Sequence, residues 1–366
     1  MRILHVLESL AAGGMETTFL NVLRACRTLD PSIEHHVLAF SGGGLEARFR
    51  EVASHLAIAF DDATIDRHLR HGHDVVHVLF ERCAYRLIPR IMARTSTPIV
   101  YAKGYDMGGT YRLNEGLDWQ ADESMLAAAD GVTFTTAALA EGYAIPPGRT
   151  TVLRKAADIA AFMALPLPTP ETPMRIVCVA NLHPLKRLGD LITAFRDVRR
   201  EVPGAELRLV GGGNERERER LTQLAADLGL AGHVSFAGAV RDVAAEIAQA
   251  RVVALASSTE GVSTALLEGM AAGRPVVATR VGHLETIIDE GVEGYFVEVG
   301  DVGAMADRLV RLLRDTTLAH VRGQAARRRA SSHDVNDVAR DALNALRAAA
   351  QSPVRSLAVA CGESGS

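Results

Sequence analysis

Short apolar runs alternate along the chain with longer stretches whose apolar residues recur at helical spacing. That alternation predicts parallel sheets built from βαβ units. Arg2–Leu7 is the first such run; Gly13 and Gly14 interrupt it, and Met15–Leu29 carries the helical period. Ile33–Phe40 predicts the next strand, followed by Ser41–Gly44 and a helix from Leu45. Asp74–Leu79 and Pro98–Ala102 predict two more strands with a helix between them, and Gly131–Thr135 and Thr150–Leu153 complete the series.

Leu165–Pro173 then places four prolines in nine residues. Neither a helix interior nor a central strand accommodates them, so this stretch is expected to link two domains. Beyond it the alternation restarts, with strands at Met174–Ala180, Ala205–Val210, Val234–Phe236, Val252–Leu255, Pro275–Ala278 and Tyr295–Val297. Helices are predicted over Lys186–Arg200, Asn214–Leu228 and Thr264–Ala272, and a last helix over about 335–349 that can pack on either domain. The expected fold is α/β, two Rossmann-like doubly wound domains facing a cleft: residues 1–164 and 174–351, joined by a linker at 165–173 and followed by a flexible tail at 352–366.

A length of 366 residues suits two domains. With 48% hydrophobic and 23% charged residues the chain has ample surface to bury, which excludes intrinsic disorder. The 40 basic and 44 acidic side chains leave a net charge of −4, without the basic footprint of a nucleic-acid binder. Cys26, Cys83, Cys178 and Cys361 stand singly, so neither a zinc knuckle nor a disulfide framework is expected, and reduced thiols suit a cytoplasmic protein. The N-terminal apolar run is too short for a signal peptide and no run reaches a membrane span. A peripheral membrane contact stays open but is not called for.

The sharpest constellation runs from Glu260 to Ala278, where a loop carries Glu260, Gly261 and Val262, a helix opens at Ser263 and Thr264, and Glu268 sits in its second turn. A helix N-terminus offers unpaired N–H groups and a positive dipole end, a natural seat for a phosphate. Glu260 and Glu268, about two turns apart, can accept hydrogen bonds from vicinal hydroxyls of a sugar or a ribose; two solvated glutamates on a capped surface helix are the alternative. Asn181, Lys186 and Arg187, between a strand and a helix, place cations where a diphosphate can sit, or simply open a helix with solvated basic side chains. Gly13 and Gly14 follow the first strand and let a ligand approach the backbone. Gly211–Gly213 is a further glycine cluster, but Arg216 stands where a dinucleotide fingerprint needs its third glycine, which weakens a nicotinamide reading.

In this order, the Gly13-Gly14 loop, Gly131–Thr135 with Leu139, Lys186, the glycine cluster, Phe236–Gly238, the E-x7-E block from Glu260 to Glu268 and the segment 282–285 resemble the family 4 retaining glycosyltransferases of GT-B fold. The resemblance covers most of the chain. It implies a nucleotide-sugar donor, a UDP-sugar in first place, in the second domain and a hydroxyl acceptor in the first. Glu268 would bind ribose hydroxyls, Glu260 the donor hexose, and Lys186 the diphosphate. Backbone amides near Ser263, Thr264, Gly13 and Gly14 would complete the cradle, with no metal and no other cofactor.

Three positions depart from the family's pattern. Asn181 replaces an Arg, with His183 and Arg187 near enough to compensate; Lys155-Ala156-Ala157-Asp158 keeps only Asp158 of the usual NGVD; and Tyr101–Asp106 lacks the usual histidine, leaving Lys103 and Asp106 as candidate catalytic groups. A catalytically impaired binding protein, a nucleotide-sugar epimerase and a pseudo-glycosyltransferase therefore stand as alternatives. Of the 13 histidines, His71, His73 and His77 lie close in sequence without a carboxylate or cysteine to complete a metal site. The Glu215–Arg220 run is expected to be a solvated helix face, and Arg327–Arg329 an exposed helix end rather than a lipid contact.

Overall fold

A computed structural model of the chain describes residues 1–11, 14–59, 61–79, 81–104 and 119–352. Gly13, Asp106, Cys361 and the tail from residue 353 lie outside the described residues. The chain divides into two compact units, residues 1–156 with 335–366, and residues 157–334.

The first unit carries β1 (Arg2–Ser9), α1 (Gly14–Leu29), β2 (Glu34–Ser41), α2 (Glu46–Val52), β3 (His55–Ile58), α3 (Asp62–Leu69), β4 (Val75–Leu79), α4 (Glu81–Arg94), β5 (Ile99–Lys103), α5 (Trp119–Ala128), β6 (Gly131–Phe134), α6 (Ala137–Glu141) and β7 (Thr150–Val152). The second carries α7 (Ala160–Met163), β8 (Arg175–Val179), α8 (Leu188–Glu201), β9 (Glu206–Val210), α9 (Glu215–Asp227), β10 (Val234–Gly238), α10 (Val243–Ala248), β11 (Val252–Leu255), α11 (Thr264–Ala271), β12 (Val276–Thr279), β13 (Gly294–Val297), α12 (Val302–Arg314) and α13 (Thr316–Ser331). The chain then returns to the first unit as α14 (Val335–Ala350).

Each unit is built on one parallel sheet, in the order β3-β2-β1-β4-β5-β6-β7 and β10-β9-β8-β11-β12-β13. β4, β11 and β12 are buried at every position, as strands covered by helices on both faces must be. In the second unit one core layer packs α8, α9 and α12 on the sheet, and the other packs α7, α11 and α13. In the first, α4 and α5 cover one face while α1, α2 and α14 cover the other.

The division corrects one sequence expectation and decides another that was left open. The first unit ends at Ala156 rather than at residue 164, because Ala157, Ile159 and Phe162 bury their side chains in the second unit's core. α14 belongs to the first unit: Val338, Ala339, Leu343 and Leu346 pack with Ala25 and Cys26 of α1 over Ile3, Val75 and Val100. The proline stretch is a strap fixed to the second unit. Proline removes N–H donors but leaves carbonyls, and buried arginines satisfy these. Arg274 donates to Pro166 O at 2.7 Å, Arg251 to Pro170 O at 2.9 Å and also to Thr172 O, and Arg327 to Leu165 O at 2.6 Å. Desolvation, with Arg327 nearby, pulls Arg274 down to about 10. Arg327 is thus an anchor and not a free helix end, while Arg329 meets Asp289 at 3.2 Å.

Candidate active site

The strand order of the second sheet reverses between β8 and β11, which are hydrogen-bonded neighbours. The crevice beyond such a reversal is where open α/β sheets bind ligands. The loops that follow these two strands carry Lys186 and Glu260, so topology alone brings the two together. Lys186 Nζ lies 2.5 Å from Glu260 Oε1. Ser257, wholly buried at the end of β11, donates its Oγ to the same oxygen at 2.7 Å. Thr279 Oγ1 donates to Ser257 O at 2.6 Å and pins that turn to β12. Among the described contacts both bonds to Glu260 end on Oε1, which leaves Oε2 to meet a hydroxyl.

The two loops are also joined by backbone, Ser258 N donating to Leu185 O at 2.8 Å. Pro184–Lys186 forms one 3-10 turn, capped by His183 Nδ1, which accepts from Leu185 N at 3.2 Å. Arg187 follows at φ 46°, the one non-glycine residue of positive φ among those described. That left-handed conformation costs an arginine about 1 kcal/mol and is held by its ion pair with Asp190 at 2.6 Å. It ends the 3-10 turn and starts α8 in a new direction, leaving Lys186 half-buried beside Glu260.

Ser263 caps α11, its Oγ accepting from Leu266 N at 3.3 Å, and its carbonyl accepts from Leu267 N at 3.1 Å. The N–H groups of Thr264 and Ala265, one residue earlier in the helix, have no intrahelical acceptor. A Cβ on Gly261 would meet nothing within 4 Å, so the backbone there is open. Val262 packs toward the core. Gly282, at φ +59°, brings the loop after β12 so close that a Cβ would lie 1.6 Å from Glu260 O. Glu268 is half-buried on α11, and burial, with the carboxylate of Asp158 as a second cause, pushes its carboxyl up to about 7.

Gly211, at φ +145°, seats the loop after β9 against that after β8, where a Cβ would lie 2.1 Å from Ala180 O. Leu182 N donates to Gly212 O at 2.8 Å, and Asn181 stands exposed between these contacts. The sequence thus points to Lys186, Arg187, Gly211, Glu260, Ser263 and Glu268, which the fold gathers at the carboxyl end of one sheet. It misses Ser257 and Thr279, which carry no motif of their own and act through hydroxyl hydrogen bonds, and it gives no role to Gly282, which opens the 282–285 segment and acts through backbone proximity.

In the first unit Gly14 opens α1 and Lys103 ends β5. Lys103 is wholly buried, its Nζ 5.4 Å from the centre of the Tyr143 ring. His77 does not group with His71 and His73. It pairs with His5 (Nδ1 to Nδ1, 3.0 Å), and His5 Nε2 meets His35 Nδ1 at 3.0 Å. His73 Nε2 instead meets His36 Nδ1 at 3.2 Å. Among the described residues no group of three or more His, Cys, Asp or Glu has metal-binding geometry. Cys26, Cys83 and Cys178 are buried and unbridged, and burial pushes the Cys26 and Cys178 thiols up to about 12, so neither is a nucleophile at neutral pH. No helix among the described residues is long and apolar enough to cross a membrane.

Two doubly wound units, the second with a cation, a capped helix start and two carboxylates beyond its strand-order reversal, define a GT-B glycosyltransferase architecture. The family model described as Glycosyl transferases group 1 matches residues 173–315. The chain is 36% identical over 157 residues to N-acetyl-alpha-D-glucosaminyl L-malate synthase of Bacillus anthracis, a match covering 43% of this chain and 40% of that protein. It is 29% identical over 321 residues to GDP-mannose-dependent alpha-(1-6)-phosphatidylinositol monomannoside mannosyltransferase of Mycobacterium tuberculosis, covering 79% and 80%. In fold it resembles Anabaena HepE in complex with UDP, at a TM-score of 0.79 and 19% identity over 95% of this chain and 100% of that one. Sucrose-phosphate synthase from Thermosynechococcus elongatus gives 0.75 at 17% identity over 95% and 98%. Residues 173–315 thus match the group 1 glycosyltransferases, and over most of its length the chain is similar to an enzyme of that class.

Proposed function

We propose that the chain moves a hexose-type sugar from a nucleotide-sugar donor, a UDP-sugar in first place, to a hydroxyl acceptor, with retention of anomeric configuration and without a metal ion. The observation that carries this is the Lys186–Glu260 pair seated beside the N-terminus of α11. A diphosphate placed there would meet the Lys186 ammonium and the N–H groups of Thr264 and Ala265, which oppose the negative charge that grows on it as it leaves. Arg187 and the backbone at Gly211 and Gly261 border the same crevice. Glu268 accepts from the ribose hydroxyls and Glu260 Oε2 from a hydroxyl of the sugar. Attack from the face the diphosphate leaves needs no protein nucleophile, in keeping with the inert buried thiols.

The acceptor is proposed to bind in the first unit, where Lys103 closes β5. Of the structural relatives, HepE binds UDP and glucose, which supports the donor class for this chain. The test is turnover. The purified protein, incubated with UDP-glucose, UDP-N-acetylglucosamine or GDP-mannose and a panel of hydroxyl acceptors in excess EDTA, should give a product whose anomeric proton coupling matches the donor. An inverted product, or activity abolished by EDTA, would overturn the retaining or metal-free parts. Binding without turnover of any donor would favour an impaired binding protein.

A further inference from the structure

The first unit holds a cavity of about 140 Å³ at the carboxyl ends of β4, β5 and β6, between the sheet and helices α1 and α14. Its walls are almost wholly hydrocarbon and ring surface, including Met15, Phe19, Leu23, Phe134, Ala342 and Leu346. Its floor is the imidazole pair of β1 and β4. His5 and His77 face each other in register, their rings 5.2 and 6.2 Å from that of Phe19.

Three physical features restrict what this cavity takes. First, the floor carries no charge at neutral pH: burial holds His77 at about 4 and His5 well below its ordinary value. A cation entering the cavity would lose its hydration and find no countercharge there, while an anion would have to reach Lys103, Arg154 or Lys155, whose stems also line the cavity but which leave its surface almost wholly apolar. Second, a sugar or polyol would bury several hydroxyls against hydrocarbon, each unpaired one costing about 1–3 kcal/mol. Third, the size is that of one ring, since an engineered apolar cavity of roughly 150 Å³ binds benzene. A ring here extends the existing cluster of Phe19, His5 and His77, at the centroid separations aromatic pairs prefer.

We propose that this cavity binds the aromatic body of the acceptor, a compound of the phenol class whose hydroxyl stays toward the open end of the cavity. The proposal rests on the transferase reading and names its acceptor class. The cavity is lined by residues of the first unit, and the proposed nucleotide residues named on strands and loops of the second sheet are not among them, so the two readings fail separately.

The experiment is calorimetric titration of the full chain with p-cresol, n-hexanol and myo-inositol, and, separately, with UDP and GDP. p-Cresol should bind measurably, at least tenfold more tightly than n-hexanol, and myo-inositol should not bind. Ala342→Phe, which fills the cavity from α14, should weaken p-cresol at least tenfold and leave nucleotide binding unchanged. Leu346→Ala, which enlarges the cavity, should keep p-cresol and admit 2-naphthol, and it decides the matter if Ala342→Phe fails to fold. No p-cresol binding to a protein that binds nucleotide would overturn the inference and spare the transferase reading. Binding undiminished in Ala342→Phe, or hexanol binding as well as cresol, would overturn it too.

Discussion

Lys186 and Glu260 stand 74 residues apart in sequence, yet the Lys186 ammonium lies 2.5 Å from the Glu260 carboxylate. They meet because β8 and β11 are neighbours at the point where the strand order reverses. On the proposed function the pair stores a cation for the diphosphate beside a carboxylate for the sugar. Lys186→Ala should lower turnover about 10²- to 10³-fold, the usual cost of one preorganised group at developing charge. Lys186→Arg should recover part of it. Initial rates with thermal melts as a folding control test this; an alanine variant of full activity would remove Lys186 from the chemistry.

Glu268 gives a pH signature. Its carboxyl is pushed from 4.5 to about 7 in the folded chain, so the protonated form is favoured on folding. That contribution is full below pH 4.5 and is lost as pH rises through 7. It amounts to at most about 3 kcal/mol. Ribose hydroxyls that donate to the carboxylate favour its ionised form. Nucleotide affinity should therefore strengthen between pH 6 and 8, with release of a proton on binding below pH 7. Calorimetry in buffers of different ionisation enthalpy reads that proton; Glu268→Gln should abolish its release.

The buried histidines act in the opposite sense. His35 and His77 are lowered from 6.5 to about 4, chiefly by burial, so both are neutral in the folded chain. Unfolded imidazoles bind protons first, so the stability is present above pH 6.5 and is lost as pH falls through about 4. Each group contributes roughly 3 kcal/mol at most. Urea unfolding should show the first unit weakening steeply between pH 6 and 4.5, and His77→Phe should flatten the slope.

Gly282 tests the loop geometry. A Cβ there would lie 1.6 Å from Glu260 O, at a φ of +59° that alanine adopts at a cost. Gly282→Ala should displace Glu260, lower Tm by several degrees and cut turnover at least tenfold. A variant with unchanged Tm and rate would show that the loop is not held as described.

Much of this was legible in the chain. Apolar strands buried on both faces, such as Val252–Leu255, announce themselves, and E-x7-E fixes one turn of loop and two turns of helix. α12 carries a plain helical period at Met305, Leu309, Leu312 and Leu313, but the strand-centred pattern above passes over it. α13 is harder, since it buries mainly alanine and glycine, whose weak contrast with polar neighbours hides the period. β3 is a four-residue edge strand with no fully buried position. The proline stretch misled because missing N–H donors mark a break in regular structure without telling where the break docks. The arginines that hold it, Arg251, Arg274 and Arg327, lie far along the chain and look like surface charge. Ser257 and Thr279 were illegible for the same reason: their roles follow from the pairing of β11 with β12.

The most direct test is calorimetric titration of UDP and GDP into the wild-type chain and into Glu268→Ala. One nucleotide should bind the wild type, with affinity lowered at least tenfold in Glu268→Ala while its melting curve stays cooperative. Equal affinity in the two proteins would contradict the placement of the donor on α11, and with it the account of Lys186 and Glu260.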